Sequence, residues 1–256
     1  MRSRPALIVA VVVLLVAVGG GAAAWTLFLS GDNVAPLSLP SRAPASSGST
    51  AATPAAGASG SIASLPPASA ATLDAASIPG TWSIAADSIV GYRVRERLAS
   101  LSADSDAVGR TNAITGSATI ASSGGTLSVT AAEFTVDMTK LASDKQMRDN
   151  RLRNDGIQTD SFPTSTFKLT TPVALPSGAL TGTAVDVTLH GDLTLHGVTK
   201  TVDIPAKAQV NGSLIQVLGT LSFPFSDYAI NAPNIGGFVA VEDHGTLEFQ
   251  VNLTRS

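Results

Sequence analysis

Val185-Asp186-Val187-Thr188-Leu189-His190-Gly191-Asp192-Leu193-Thr194-Leu195 alternates apolar and polar residues without a break. After His196-Gly197 the alternation returns in Val202, Ile204, Ala206, Ala208 and Val210. A period of two belongs to strands, and one apolar face opposite one wet face is the pattern of antiparallel sheet. Gly197 sits where the phase switches, which predicts a hairpin turn between the two runs. Near the end of the chain Leu247, Phe249, Val251 and Leu253 repeat the pattern against Thr246, Glu248, Gln250 and Asn252.

Working outward, the same logic predicts strands near 81–86, 88–96, 112–121, 126–136, 165–174 and 213–223. In Leu127-Val129-Ala131 and Phe134-Val136 the apolar phase flips between Ala131 and Ala132, which calls for a β-bulge. Eight or so strands joined by short Gly-containing turns make an all-β domain, a closed barrel or a sandwich. Lys140–Arg153 (KLASDKQMRDNRLR) breaks the period and carries a charge of +3. It suits a short helical insert across one end of the sheet, with Leu141 and Leu152 turned inward.

Two segments precede this domain. Ala6–Leu29 holds no charged residue and follows Arg2 and Arg4. At 1.5 Å per residue it would span roughly 36 Å, more than the ~30 Å hydrocarbon layer. Basic residues before it, and none after it until Arg42, orient residues 1–29 as a single-pass cell-membrane anchor with the rest extracytoplasmic. Cleavage near Ala22-Ala23-Ala24 is the competing expectation and would release a secreted protein. Ser30–Ser77 is rich in Ala, Ser, Pro and Gly and has no aromatic residue, so 30–77 reads as a disordered linker and 78–256 as the folded domain.

Composition excludes several function classes. The chain has no cysteine and a formal charge of −3, with 14% charged residues. Thiolate chemistry is ruled out, and a nucleic-acid partner would need a basic surface that is missing. Neither G-x-S-x-G nor H-E-x-x-H occurs, and scattered Ser and Asp residues make no hydrolase, so no catalytic residue is assigned. His190 and His196 lie about 20 Å apart on a continuous strand, too far for one metal ion. No metal and no cofactor is expected.

Three stretches resemble the YceI-like family. They are Trp82-Ser83-Ile84 with Asp87 to Val94; Gln146 to Arg153 with Phe162-Pro163-Thr164-Ser165-Thr166-Phe167; and Gly191 to Lys200 with Gly237 to Phe249. They run in family order across almost all of 80–254. Gly156-Ile157-Gln158-Thr159-Asp160 departs from an aromatic stretch that many members carry there. The resemblance implies an eight-stranded antiparallel lipocalin-like barrel holding a long-chain isoprenoid or acyl lipid: a polyisoprenoid, an isoprenoid quinone or a fatty-acid derivative. Such a protein binds, stores or transports lipid and is not an enzyme. Tyr92, Phe134, Phe167, Val187, Leu189, Phe223 and Phe249 are the expected inward residues, either lining a cavity or filling a core. Arg148 is the expected head-group contact, because a guanidinium fork suits phosphate or carboxylate. A stalked structural or adhesive β domain with a filled core is the alternative, and a homodimer is left open.

Overall fold

The computed structural model describes residues 34–40, 73–98, 104–232, 234–235 and 239–256. The strands in chain order are β1 (Gly80–Ile84), β2 (Ile89–Leu98), β3 (Asp104–Thr111), β4 (Ile114–Ser123), β5 (Thr126–Asp137), β6 (Ala142–Ser143), β7 (Thr164–Leu169), β8 (Val173–Leu175), β9 (Val185–Leu195), β10 (Val198–Asn211), β11 (Leu214–Pro224), β12 (Asn234–Ile235), β13 (Val239–Val241) and β14 (His244–Arg255). Among the described residues two α-helices join them, α1 (Gln146–Asn154) and α2 (Ser177–Leu180).

Hydrogen-bonded neighbours run β1-β4-β5-β7-β9-β10-β11-β14, and β14 pairs back onto β1, so eight antiparallel strands close a barrel. Closure leaves the ring without an unpaired edge. β14 is long enough to serve two partners: Thr246–Gln250 pairs with β2, and Leu253–Arg255 with β1. β2 then carries β3 on its other edge, which widens one end of the barrel.

The period-two runs form the expected strands. Leu195 faces Val198 across a two-residue turn in which His196 and Gly197 both have positive φ, 51° and 73°. That is the backbone of a type I′ hairpin, whose twist matches the flanking strands. The bulge in β5 lies at Thr130, since Thr119 pairs with Ala131 and Ile120 with Val129. It puts Leu127 and Val129 on the same face as Ala132, Phe134 and Val136, which pair with Ala118, Gly116 and Ile114 of β4.

Three sequence expectations shift. β3 was not among the expected strands. The run near 165–174 is two strands, parted where Thr170 and Thr171 both donate their backbone N–H to the His190 carbonyl. The helical insert is shorter than Lys140–Arg153: Met138–Lys140 is a 3₁₀ turn capped by Asp137, Ala142–Ser143 pairs with β3, and only α1 is helical. Leu141 is buried, and Leu152 half-buried, as the inward reading requires.

One end of the barrel is plugged. Trp82 and Ile78 are wholly buried, and the Trp82 indole N–H donates to the Ile78 carbonyl at 2.8 Å. Within the Ser30–Ser77 linker, Val34–Pro40 lies extended against the outside of the barrel, and Ala75–Ser77 forms a 3₁₀ turn leading into the plug. Among the described residues no helix is long and apolar enough to cross a membrane, and Ala6–Leu29 lies outside them.

Candidate functional site

Inward side chains of a closed eight-stranded barrel either fill its interior or leave room for one small ligand. Here they leave room. A cavity of about 240 Å³ lies inside the barrel with an almost wholly apolar wall. That is close to the ~300–1,000 Å³ range of small-molecule sites and far above the ~10–15 Å³ that admits a single water. The wall is drawn from the inward phase of β2, β4, β5, β7, β9, β10, β11 and β14, and Tyr92, Phe134, Phe167, Val187, Leu189, Phe223 and Phe249 all stand on it. Val187 and Leu189 remain partly accessible although they face inward, because they border this space. The interior is therefore not the filled core that the structural alternative requires.

The cavity opens at the α1 end. There the lining includes Lys145, Met147, Arg151 and Leu152, and Met147 is the large apolar residue left exposed. At the far end Ile120, Ile215 and Leu253 are buried. Glycines make room for the bulky wall residues. Gly109 faces Tyr92 across β2 and β3, and a Cβ there would fall 2.3 Å from the tyrosine ring.

A polar cluster sits inside this mouth. Arg148 reaches in from α1 and pairs with Glu96 on β2 at 3.5 Å and with Asp144 in the preceding turn. Its side chain is 13% exposed. Burial alone would lower the guanidinium's pKa, but the Glu96 and Asp144 carboxylates outweigh it and raise it. Burial raises the Glu96 carboxyl above the ordinary range, with Arg148 pulling it back. The Tyr92 hydroxyl lies close by, pushed up by burial, and it has no hydrogen-bond partner within the protein. A buried hydroxyl without a partner costs free energy unless something else supplies one. The cluster thus offers an unused hydroxyl beside an arginine that already has two carboxylates.

Glu96 was not anticipated. The signal was present: Val90, Tyr92, Val94 and Glu96 share the inward phase of β2, and a carboxylate there demands a cation. Arg148, Arg151 and Arg153 do not act as one basic patch, because Arg151 lies over Asp155 at 3.8 Å while Arg148 turns inward. The histidines serve the outside of the barrel. His190 pairs with Asp203 at 2.7 Å, and His196 meets the Tyr228 carbonyl at 2.9 Å with its ring against Phe162.

Residues 82–253 match the family described as YceI-like domain. Among solved structures, a polyisoprenoid binding domain from Saccharophagus degradans, described as implicated in plant cell wall breakdown, aligns with a TM-score of 0.52 at 17% identity. The alignment covers 70% of this chain and 99% of that one. BcnA of Burkholderia cenocepacia aligns with a TM-score of 0.45 at 19% identity, over 63% of this chain and 95% of the other. No curated protein matches. At 17% identity the likeness to the Saccharophagus domain shows the fold alone.

Proposed function

The chain belongs to the YceI-like domain family, and we propose that its barrel binds and carries one long-chain isoprenoid-like lipid outside the cell, tethered to the membrane through Ala6–Leu29. The cavity carries this reading. It lies inside the closed barrel and is almost wholly apolar, with Glu96 and Arg148 among its few polar lining groups. Each CH₂ left in water costs roughly 0.8 kcal/mol, so a chain of several isoprene units leaves a bilayer only into another apolar space such as this one. The polyisoprenoid-binding description of the Saccharophagus domain supports the same ligand class.

The mouth favours a neutral head group. Arg148 is held by Glu96 and Asp144, so an anionic head would have to displace a carboxylate. Tyr92 offers a hydroxyl for a carbonyl or alcohol oxygen. Of the expected ligands, an isoprenoid quinone or a polyprenol suits this cluster better than a fatty-acid carboxylate. The test is organic extraction and native mass spectrometry of the purified full chain, followed by titration of the delipidated protein with a prenyl alcohol and a fatty acid of equal length. Tighter binding of the alcohol is expected, with that preference lost in Tyr92→Phe. An extract without lipid, together with no binding of either probe, would reject the carrier reading.

A further inference from the structure

Outward-facing residues of a barrel strand are normally wet, yet a band of them here is buried. Gln209 on β10, Gln216 on β11 and Asn252 on β14 are registered neighbours pointing away from the cavity, each no more than 5% exposed. They form a ladder: Gln209 Nε2 donates to Gln216 Oε1 at 3.0 Å, and Gln216 Nε2 to Asn252 Oδ1 at 2.9 Å. Further along the same wall Glu248 is 3% exposed between Arg110, at 2.7 Å, and Arg93, at 3.4 Å. Arg110 reaches Glu248 by lying over Gly91, where a Cβ would fall 2.7 Å from its Cγ.

Val34–Pro40 crosses this band. Arg93 Nη2 donates to the Val34 carbonyl at 3.0 Å, Arg110 Nη2 to the Ala35 carbonyl at 2.7 Å, and Gln209 Nε2 to the Pro40 carbonyl at 3.3 Å. Val34, Leu37 and Leu39 are half-buried, while Ser38 is exposed. Six steps of extended chain reach about 20 Å. Crossing from β2 to β10 takes three strand spacings of about 4.8 Å, with an oblique run along the strands making up the rest. Pro36 and Pro40 have no N–H to offer, and all three carbonyls are taken by side chains. The wall thus reads an extended, proline-containing segment by its acceptors, as a peptide groove does.

We propose that this outer wall is a docking track for the chain's own Val34–Pro40, and that docking holds the cavity mouth close to the membrane. The second half rests on the reading of Ala6–Leu29 as the anchor; the first does not. Direction supports it. The Val34 end lies at Arg93, three residues from Glu96 in the mouth, whereas the Pro40 end lies toward the plugged end. From Leu29 to Val34 is five residue steps, at most about 17 Å, and from Arg93 to Glu96 about 10 Å more. Undocked, the chain from Leu29 to Leu73 would behave as a coil with an end-to-end distance of roughly 33–40 Å and no preferred orientation. A docked strap therefore presents the mouth to the bilayer from which a lipid must come.

The chain has no cysteine, so introduced ones label cleanly. Spin labels at Ser38→Cys and Lys207→Cys in the full chain should give one narrow distance distribution, unchanged on dilution with unlabelled protein. Leu37→Asp with Leu39→Asp should broaden it to a coil-like spread of about 30 Å while the thermal transition stays in place. Replacing Val34–Pro40 by Gly and Ser should do the same. A broad distribution in the parent chain would overturn the docking track, and loss of the short distance on dilution would assign the strap to a second copy instead. For orientation, a fluorophore at Asn150→Cys on α1 should transfer strongly to acceptor dyes in the leaflet of a nanodisc carrying the full chain. Most of that transfer should vanish in the Leu37→Asp, Leu39→Asp chain. Equal transfer with the strap docked and released would overturn the membrane-proximal role. A chain that fails to insert into nanodiscs would refute the anchor reading and the orientation with it, while the spin-label distances still decide the docking.

Discussion

Where Val34–Pro40 crosses them, β2, β11 and β14 are covered on both faces, by opposite means. Their inward faces are apolar and border a cavity of about 240 Å³. Their outward faces under Val34–Pro40 are polar and tightly filled, with Glu248, Gln216 and Asn252 all bonded. The difference follows from what each face is given. A cavity wall has no partner atoms of its own, so only side chains that ask for none can stand there without cost. A wall crossed by a peptide meets carbonyl oxygens at fixed intervals, so it carries donors. Burial alone thus says little about role; the chemistry of what is buried separates a place for a lipid from a place for a chain.

The outward face should give the largest effect. Glu248→Ala removes the shared acceptor of Arg93 and Arg110 and strands two guanidinium groups beneath the strap. Breaking a buried pair costs about 3–5 kcal/mol, and the partial exposure of both arginines, 18% and 24%, argues for the lower end. Chemical denaturation of the variant would measure it. A loss below about 1 kcal/mol, the size of a surface ion pair, would mean that this face is wet and the contrast between the two faces is lost.

The inward face should respond less in stability and more in binding. In a packed core, Leu189→Trp would overpack at about 1–3 kcal/mol. Beside a cavity the indole has room, so the loss should stay under about 1 kcal/mol, while affinity for a prenyl probe falls about tenfold or more, a cost of roughly 1.4 kcal/mol. Paired melting and probe titration separate the outcomes. A large stability loss with binding unchanged would make Leu189 a packing residue and place the lipid elsewhere.

The two faces were unequally legible in the sequence. Periodicity exposes the inward set, because Val187, Leu189, Phe249 and their neighbours recur at every second residue. β3 escaped because both its faces are compromised: Val108, registered with Arg93 on the outside, is buried, and Gly109 on the inside gives way to Tyr92. With Ser105, Ala107, Gly109 and Thr111 on one face and Val108 among the polar residues of the other, no apolar alternation marks the strand. Val34–Pro40 was invisible for a different reason. Its recognition uses backbone carbonyls, which every residue supplies, and its compositional mark, Val34, Leu37 and Leu39 in an otherwise Ala/Ser/Pro/Gly-rich segment, names no partner. Arg148 was singled out as a head-group contact, but its partner Glu96 lies 52 positions away, and only the fold brings the two within 3.5 Å. The expectation of a cation free for an anionic head group changes accordingly.

The smallest effect belongs to Glu96, where the two kinds of burial meet: a polar pair inside an apolar mouth. Burial raises its carboxyl pKa in the folded protein above the ordinary glutamate value of 4.5, despite Arg148. Between those two values the folded state binds more protons than the unfolded chain, so unfolding free energy falls as pH rises through that window. The slope cannot exceed about 1.4 kcal/mol per pH unit for one group. Glu96→Gln removes the titration while keeping the side-chain shape. The stability difference, wild type minus variant, should therefore be most favourable to wild type below the window and decline as pH climbs through it. Matched denaturation curves of both proteins across the acidic range would read this difference. A difference that grows with pH would mean that the attraction to Arg148 outweighs desolvation and that Glu96 stands as a fixed anion. Arg148 would then be more firmly neutralised, and the mouth still less suited to a carboxylate head. A declining difference makes the pair adjustable: a protonated Glu96 at low pH frees part of Arg148's charge, and affinity for a fatty acid relative to a prenyl alcohol should rise over the same interval.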